Sequence, residues 1–403
     1  MPHNLERRLE IDVEGPESRA ELRRVLTDVR STVREDTQAR MAIVFLQGVA
    51  SEVQTIRDRL AAIPGVRIMR DFLTPLDPSD EYSDRKAPLL GGTNKYPDRE
   101  ALLRIDPYEM SRQEMGTGEP VVVAIVDSGI MVEHQEFKGH LWTNRVDGRE
   151  IHGACCMGGM LGYDLTDQDG HGTMLAGSIL ATANFVAGLE LMAVKFFDVM
   201  VQPAAANAAR AIRFAVDNGA RIINLSFDLG LGSIELEEAV AYAGHRGALV
   251  VMAAGNTGSD NDQYPLVPAR YAESCRDSAI VVMATDRYDE RAAISNFGCT
   301  TVDLAAPGVK VMSTHASLAG TAVGGYGRYT GTSAAAAQVS GAAALLKSKY
   351  PKSSARDLKL RLMGTVDLLP RLKCVSGGRL NLGRALTQAQ MISPEVLPGA
   401  CAP

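Results

Sequence analysis

The sequence predicts an α/β fold, with a parallel sheet covered by helices on both faces and a small α+β unit in front of it. Three observations predict it. Nearly continuous apolar runs alternate with amphipathic helical segments, as in a parallel sheet buried on both faces. The first 75 residues have their own short strand and helix patterns. The 403 residues suffice for one large and one small domain.

The N-terminal unit is predicted over residues 1–75. Leu9, Ile11 and Val13 alternate with charged residues as in a strand, and apolar residues at helical spacing follow them. "MAIVFLQGV" reads as a second strand, Ser51 and Gln54 form a capping box that predicts a second helix, and "GVRIMRDFL" closes the unit. The pattern predicts a βαβαβ, ferredoxin-like domain. Such a layer is stable only if its helices cover one face of the sheet.

Three further segments complete the organisation. Residues 76–115 are rich in proline, glycine and charge without an apolar period, which predicts an exposed linker and a possible processing region. Residues 116–388 form the predicted large domain, and residues 389–403 are a C-terminal tail with little order signal. The predicted strands of the large domain are "VVVAIV", "LMAVKFF", "RIINLSF", "ALVVMAA" and "AIVVMAT".

Four polar residues stand at strand and helix ends of this domain, where parallel sheets place their chemistry. Asp127 ends "VVVAIVD" and Asn256 follows "ALVVMAAG", whereas His171 and Ser333 lie in the first turns of two predicted helices. Acyl transfer needs these four types of residue: an orienting carboxylate, a base, an oxyanion donor and a nucleophile. A helix N-terminus beside the serine also favours developing negative charge.

Each residue alone has a simpler structural interpretation. An Asp or Asn after a strand is usually a turn residue, a lone histidine is usually a satisfied surface or core residue, and Ser333 could be a helix cap. The chain order Asp, His, Ser is one of the few known triad orders, and the flanks of all three residues are rich in glycine. The conjunction therefore favours catalysis.

The motifs "IVDSGI", "DGHGT", "AAGN" and "GTSAAAAQVSGAAALL" resemble, in order, those of the subtilisin-like serine peptidases, over about residues 116–388. The resemblance implies a serine endopeptidase that hydrolyses proteins or peptides through an acyl-enzyme. Ser333 would be the nucleophile, His171 the base, Asp127 its orienting partner and Asn256 an oxyanion donor. It also implies substrate-binding positions at Ser226, Phe227, Asp228, Ala254 and Gly255, where Asp228 would favour a basic substrate residue.

The sequence departs from the family pattern in several places. Ala334, Ala337 and Gln338 replace the usual Met, Pro and His, and Met174 replaces the second His of "HGTHVAG". None of these supplies a catalytic atom. Only "TANFVAGLE" separates "HGTMLAGSILA" from "LMAVK", too short for the loop that carries the strong calcium site in secreted relatives. No cofactor and no metal site are expected, although a weaker calcium site elsewhere stays open.

Composition predicts few partners beyond substrate. The formal charge of −6 is too small to predict a nucleic-acid or membrane partner, and no apolar run is long enough to cross a bilayer. The N-terminus lacks a signal-peptide core, so we expect a cytoplasmic protein. The six cysteines form neither a CxxC pair nor a dense framework, and we expect them to be reduced.

Two questions stay open at the level of sequence. The N-terminal unit is expected to be either a prodomain, which inhibits and helps to fold a zymogen, or a permanent accessory domain. The same triad would serve a dedicated peptide-maturation protease or a macrocyclase, and a non-catalytic binding protein on the same fold is a further alternative.

Overall fold

The computed structural model describes residues 4–13, 15–26, 31–36, 41–49, 59–60, 62–64, 66–76, 100–106 and 119–388, the last range without residues 147, 160, 184–186, 231 and 317–324. The chain divides into two compact units, residues 1–87 and 88–403. Most of the predicted linker, at residues 77–99 and 107–118, and the predicted tail at 389–403 lie outside the described residues.

The first unit contains a four-stranded antiparallel sheet in the order β2-β3-β1-β4. Its elements are β1 (Asn4–Val13), α1 (Gly15–Leu26), β2 (Ser31–Asp36), β3 (Met41–Val49) and β4 (Val66–Leu76). The βαβαβ prediction missed β2, because "STVRED" contains one apolar residue, Val33, and so has no period-two signal. The second predicted helix, from Ser51, lies mostly outside the described residues.

The second unit is built on a nine-stranded sheet that is parallel except at one edge, where β16 pairs antiparallel with β17. The order is β16-β17-β13-β12-β11-β10-β5-β9-β8. All five predicted strands of the large domain are confirmed. The strands are β5 (Val121–Asp127), β8 (Gly153–Cys155), β9 (Leu189–Lys195), β10 (Ile222–Leu225), β11 (Leu249–Ala253), β12 (Ala279–Thr285), β13 (Leu304–Pro307), β16 (Asp367–Leu368) and β17 (Gly378–Arg379).

Helices cover both faces of this sheet, and a separate apolar core lies on each side. The helices are α2 (Glu100–Ile105), α3 (His171–Thr182), α4 (Ala205–Asp217), α5 (Ile234–His245), α6 (Thr332–Lys349), α7 (Ala355–Gly364) and α8 (Leu382–Thr387). Short 3-10 segments span Gln135–Phe137, Met157–Gly159 and Ala269–Ser278. Residues of α3 and α6 belong to one core, and residues of α4 and α5 to the other.

The alanine-rich sequence of α6 reflects its position in the molecule. Its four consecutive alanines, residues 334–337, have no exposed surface, and the helix packs on α3 and on the central strands. A Cβ at Gly341 would lie 2.5 Å from the carbonyl oxygen of Ile179 on α3, so the two helices touch backbone to backbone. Small residues are what permits this close packing.

Two hairpins lie outside the main sheet: β6 (Asn144–Val146) with β7 (Arg149–Ile151), and β14 (Val311–His315) with β15 (Gly325–Tyr329). A partly buried charge cluster joins distant parts of the second unit. The Asp289 carboxylate binds Arg104 of α2, 3.0 Å away, and Arg379 of β17, 2.8 Å away. The segment that precedes the predicted catalytic domain is therefore fastened to its last strand.

The cysteine prediction needs one correction. Cys155, Cys156, Cys275 and Cys374 are free and buried, as expected, but Cys299 forms a disulfide. Burial raises the pKa of Cys156 and of Cys275 to about 11, so both thiols stay protonated at neutral pH. Among the described residues, no helix is both long and apolar enough to span a bilayer.

Candidate active site

Asp127 and His171 meet at the carboxyl end of β5. Asp127 is the last residue of that strand and is fully buried, and His171 is the first residue of α3. The His171 Nδ1 lies 2.8 Å from Asp127 Oδ1, which also accepts the Ser128 backbone N–H at 2.8 Å. Since a carboxylate oxygen accepts, the neutral ring carries its proton on Nδ1 and leaves Nε2 as a base.

Two glycines allow this approach of helix and strand. A Cβ at Gly172 would lie 2.0 Å from the carbonyl oxygen of Gly129, and a Cβ at Gly129 would lie 2.4 Å from that of Leu165. Gly129 also has a φ of +115°, which side chains of L-residues rarely adopt. The glycines of "DSG" and "HGT" are therefore required by contact between backbones.

Asp167 holds the first turn of α3, a role that sequence reasoning missed. This buried carboxylate accepts the Ser128 hydroxyl and the Gly170 N–H on Oδ1, each at 2.8 Å. Its Oδ2 accepts the backbone N–H of Thr173 at 2.8 Å and the hydroxyl of that residue at 2.6 Å. Asp167 thus joins the residue after Asp127 to the residues around His171. The spacing D-x-x-G-H in "DQDGH" was the available signal.

The electrostatics of this region favour a protonated imidazole. Burial of His171 lowers its pKa, but the charge and hydrogen bond of Asp127 raise it. Asp169 and Asp167 add to that rise, so the pKa of His171 lies above its ordinary value. The side chain is 21% exposed, which leaves the ring accessible to a substrate.

Asn256 and Ser333 meet at the first turn of α6. The Thr332 backbone N–H donates to Asn256 Oδ1 at 2.8 Å, and the Thr332 hydroxyl donates to the same oxygen at 3.0 Å. Because both groups donate, the atom that faces them must be the amide oxygen, and the two donors of Nδ2 are left for the exposed side of the residue. Thr332 therefore orients the amide of Asn256.

Ser333 is the second residue of α6, and Gly331 is the N-cap, so Ser333 is not the cap. Ser333 is 9% exposed, and its hydroxyl donates to the Ser226 carbonyl at 3.4 Å. Among the described residues, no hydrogen bond joins Ser333 to His171. Such bonds are often long in free enzymes and shorten when a substrate binds.

The predicted substrate-binding residues divide into two groups. Ser226 bonds with Ser333 in both directions at 3.4 Å, and the exposed Asp228 accepts the Gly230 N–H at 3.0 Å. Ala254 is fully buried and Gly255 is partly buried beside Asn256. Phe227, in contrast, is 8% exposed and packs on Phe196 with ring centroids 4.6 Å apart. The structure therefore places the Phe227 side chain in the core.

The unusual residues after Ser333 are buried behind it. Ala334 and Ala337 have no exposed surface, and Gln338 donates through Nε2 to the Pro307 carbonyl. Met174 is also buried, and its backbone carbonyl accepts the Ser313 hydroxyl at 2.6 Å. These four residues pack the helices and do not face the reacting groups.

The connection between α3 and β9 is as short as the sequence predicted. Helix α3 ends at Thr182 and β9 begins at Leu189. Within the described part of the chain, no group of three His, Cys, Asp or Glu side chains is placed to hold a metal ion.

Comparison with known proteins agrees with the geometry. The model of the subtilase family, Peptidase_S8, matches residues 118–387. The chain belongs to the subtilase family. The match includes both helices that begin at the candidate site and all nine strands of the large sheet.

Individual subtilases are similar to about the same part of this chain as the family model. Alkaline elastase YaB of Bacillus sp. is 34% identical over 281 residues, which are 68% of this chain and 66% of that protein. Subtilisin BL of Lederbergia lenta is 34% identical over 271 residues, 66% of this chain and 90% of that protein. A solved protease of Pseudoalteromonas arctica shares the fold, with a TM-score of 0.59 and 24% identity over 70% of this chain and 93% of that one. This subtilase is a subtilisin-like serine endopeptidase that acts on proteins or peptides.

Proposed function

We propose that this subtilase cleaves peptide bonds with Ser333 as nucleophile, His171 as general base and Asp127 as its orienting partner. The 2.8 Å contact between His171 and Asp127 carries the proposal, because it fixes the proton on Nδ1 and leaves Nε2 to accept another. In the proposed reaction the Ser333 hydroxyl turns from the Ser226 carbonyl toward Nε2.

The oxyanion would form at the N-terminus of α6. Attack of Ser333 Oγ on the scissile carbonyl moves negative charge onto the carbonyl oxygen. The Asn256 Nδ2 donors and the Ser333 backbone N–H would bind it, supported by the positive end of the helix dipole. His171 then protonates the leaving amine, and a water molecule activated by the same ring hydrolyses the acyl-enzyme.

Labelling with a fluorophosphonate probe tests this proposal. Wild-type enzyme should gain the mass of one probe on the peptide that contains Ser333, and Ser333→Ala should gain none. His171→Ala should react far more slowly, because the hydroxyl then lacks a base. In subtilisin, loss of the serine or of the histidine lowers kcat by about 10⁶-fold, and we expect a loss of that order here. Equal labelling of wild type and Ser333→Ala would reject the assignment.

Hydrolysis and ring closure are distinguished by product mass. With a linear peptide, hydrolysis gives two fragments whose masses sum to that of the peptide plus water, whereas cyclisation releases water or an amine-bearing segment. We expect hydrolysis, because the family relationship supports an endopeptidase.

For specificity, we propose that substrate lies against the ends of β10 and β11, along Ser226, Asp228, Ala254 and Gly255, with Phe227 supporting them from the core. Asp228 would favour a basic substrate residue, since its carboxylate is exposed. A peptide library in which wild type and Asp228→Asn show the same preference for Arg and Lys would reject this role.

We further propose that the N-terminal unit acts as an intramolecular inhibitor and folding aid. Its β2-β3-β1-β4 antiparallel order suits a ferredoxin-like prodomain. Processing should leave α2 on the enzyme, because Ile105 is fully buried and Arg104 binds Asp289. Mass spectrometry of active protein should therefore find a mature chain that starts between Leu76 and Glu100. Active protein that stays full length would instead indicate a permanent accessory domain.

A further inference from the structure

A cleft of about 730 Å³ lies beside the candidate active site. We name it the hairpin cleft, because the β6–β7 hairpin forms one of its walls. Its other walls are residues 130–133, which follow Asp127, and residues 163–167, which lead to His171. Its volume is within the range of sites that bind small molecules or large side chains.

Two walls of the hairpin cleft lie next in sequence to proposed catalytic residues, residues 130–133 to Asp127 and residues 163–167 to His171. The Ile130 N–H donates to the Leu165 carbonyl at 3.0 Å, so two of its walls are joined. Asp167 contributes to its lining and also holds Ser128 and Gly170. From this connection we infer that an extended peptide at His171, which advances about 3.3 Å per residue, enters the cleft.

The charged residues in the lining of the cleft are mostly acidic. Glu133, Glu150 and Asp164 are exposed, and among the described residues none of the three forms an ion pair. The basic residue types of the lining are Arg149 and His152. The His152 Nδ1 lies 3.1 Å from the Trp142 carbonyl oxygen. The three exposed carboxylates outnumber the guanidinium of Arg149, and the buried Asp167 is a fourth carboxyl group.

Tyr163 adds an aromatic surface to this acidic lining. Its side chain is 47% exposed and it lies in the same wall as Asp164. Carboxylates that bind a planar guanidinium, next to an aromatic face on which it can stack, suit arginine better than lysine.

We propose that the hairpin cleft binds an arginine side chain of the substrate, at a position away from the scissile bond. This inference deepens the proposed function and rests on cleavage at Ser333. Exposed charge pairs are individually weak, so several acting together should favour arginine by about three- to tenfold in kcat/KM. The preference should weaken in high salt.

A scan of matched peptides tests the cleft. One arginine is moved along an otherwise uncharged fluorogenic peptide, from four residues before the cleaved bond to four after it, and each peptide has a twin with citrulline. Citrulline keeps the shape of arginine without its charge. The enzymes are wild type, Glu133→Gln/Glu150→Gln, Tyr163→Ala, Asp228→Asn and the control Asp277→Asn, whose carboxylate pairs with Arg356 in an exposed ion pair.

We expect wild type to prefer arginine over citrulline at a position remote from the bond, separate from any position where Asp228 produces such a preference. That preference should fall toward one in the double glutamine variant, fall partly in Tyr163→Ala, and persist in Asp228→Asn and Asp277→Asn. A ratio near one at every position, or a preference that the double variant retains, overturns the proposal. A preference lost only in Asp228→Asn assigns the arginine to Asp228 and also overturns it.

Binding measurements separate this proposal from the catalytic one. Fluorescence anisotropy of the same peptides on Ser333→Ala reports affinity without turnover. Tighter binding of the arginine peptide, lost on Glu133→Gln/Glu150→Gln in the same background, supports the cleft even if no peptide is cleaved. Equal affinity for the arginine and citrulline peptides at all positions rejects the cleft, while fluorophosphonate labelling of Ser333 still supports the triad.

Discussion

Helices α3 and α6 both begin at the candidate active site, but groups of different charge hold their first turns. The first turn of α3, with His171, donates to the carboxylate of Asp167. The first turn of α6, with Ser333, donates to the neutral amide oxygen of Asn256. In both helices these bonds satisfy N–H groups that have no partner within the helix.

The difference follows the charge that each helix must accommodate. His171 becomes a cation during the proposed reaction, and a helix N-terminus disfavours a cation, so nearby carboxylates offset that cost. An oxyanion would form beside Ser333, where a carboxylate would repel it and an amide can both accept from the helix and donate to the oxyanion. The group that holds each helix end thus suits the charge that forms there, a cation at His171 and an anion beside Ser333.

Among the substitutions that test this difference between the two helices, those of Asn256 should lower kcat the most. Asn256→Ala should lower kcat by about 100- to 1,000-fold, because one oxyanion donor is lost. Asn256→Asp should lower it further, since its carboxylate still accepts the Thr332 N–H but repels the oxyanion. Steady-state kinetics with thermal melts would check this, and an Asp variant more active than the Ala variant would contradict the proposed division of charge.

Substitution of Asp167 should affect both stability and rate. Asp167→Asn replaces one acceptor oxygen by an NH₂ group, which leaves the N–H of Gly170 or of Thr173 unsatisfied. We expect a loss of about 1–3 kcal/mol in the free energy of unfolding. Displacement of His171 should lower kcat by about 10- to 100-fold with a smaller change in KM. Asp277→Asn is the matched control, and a KM effect without a kcat effect would argue against a positioning role.

Asp169 should produce the smallest effect, a shift in pH dependence. Its negative charge raises the pKa of His171. Asp169→Asn should therefore lower that pKa, so His171 stays neutral to a lower pH and the acid limb of kcat/KM moves to lower pH. Profiles between pH 5 and 9 at low and high salt would check this, with a smaller shift at high salt. A shift to higher pH would show that the sign is wrong.

Much of the second unit could be predicted from sequence, because its strands are long apolar runs and its four candidate residues lie in short glycine-rich motifs. The hydrogen bonds around these four residues were harder to predict from sequence. Ser128 and Asp167 are small polar residues whose partners become neighbours only after β5 and α3 pack together. The hydrogen bond between Thr332 and Asn256 joins positions 76 residues apart, so no local pattern indicates it.

Other features gave no periodic signal at all. Phe227 lies two residues after the end of β10, where alternation no longer shows which way a side chain points. The β6–β7 hairpin consists of two strands of three residues, too short for a reliable pattern, so the hairpin cleft could not be predicted. In the first unit β2 was missed because its six residues include one apolar residue, Val33.

The ion pairs of Asp289 indicate how the chain of the catalytic unit, the second unit at residues 88–403, could be reconnected. Arg104 lies close to the beginning of that unit and Arg379 close to its end, and a single carboxylate binds both. When the two ends of a domain meet, the chain can be closed by a short connection and reopened at an exposed loop. The catalytic unit should therefore tolerate circular permutation, with the Asp289 ion pairs holding the joined ends in register.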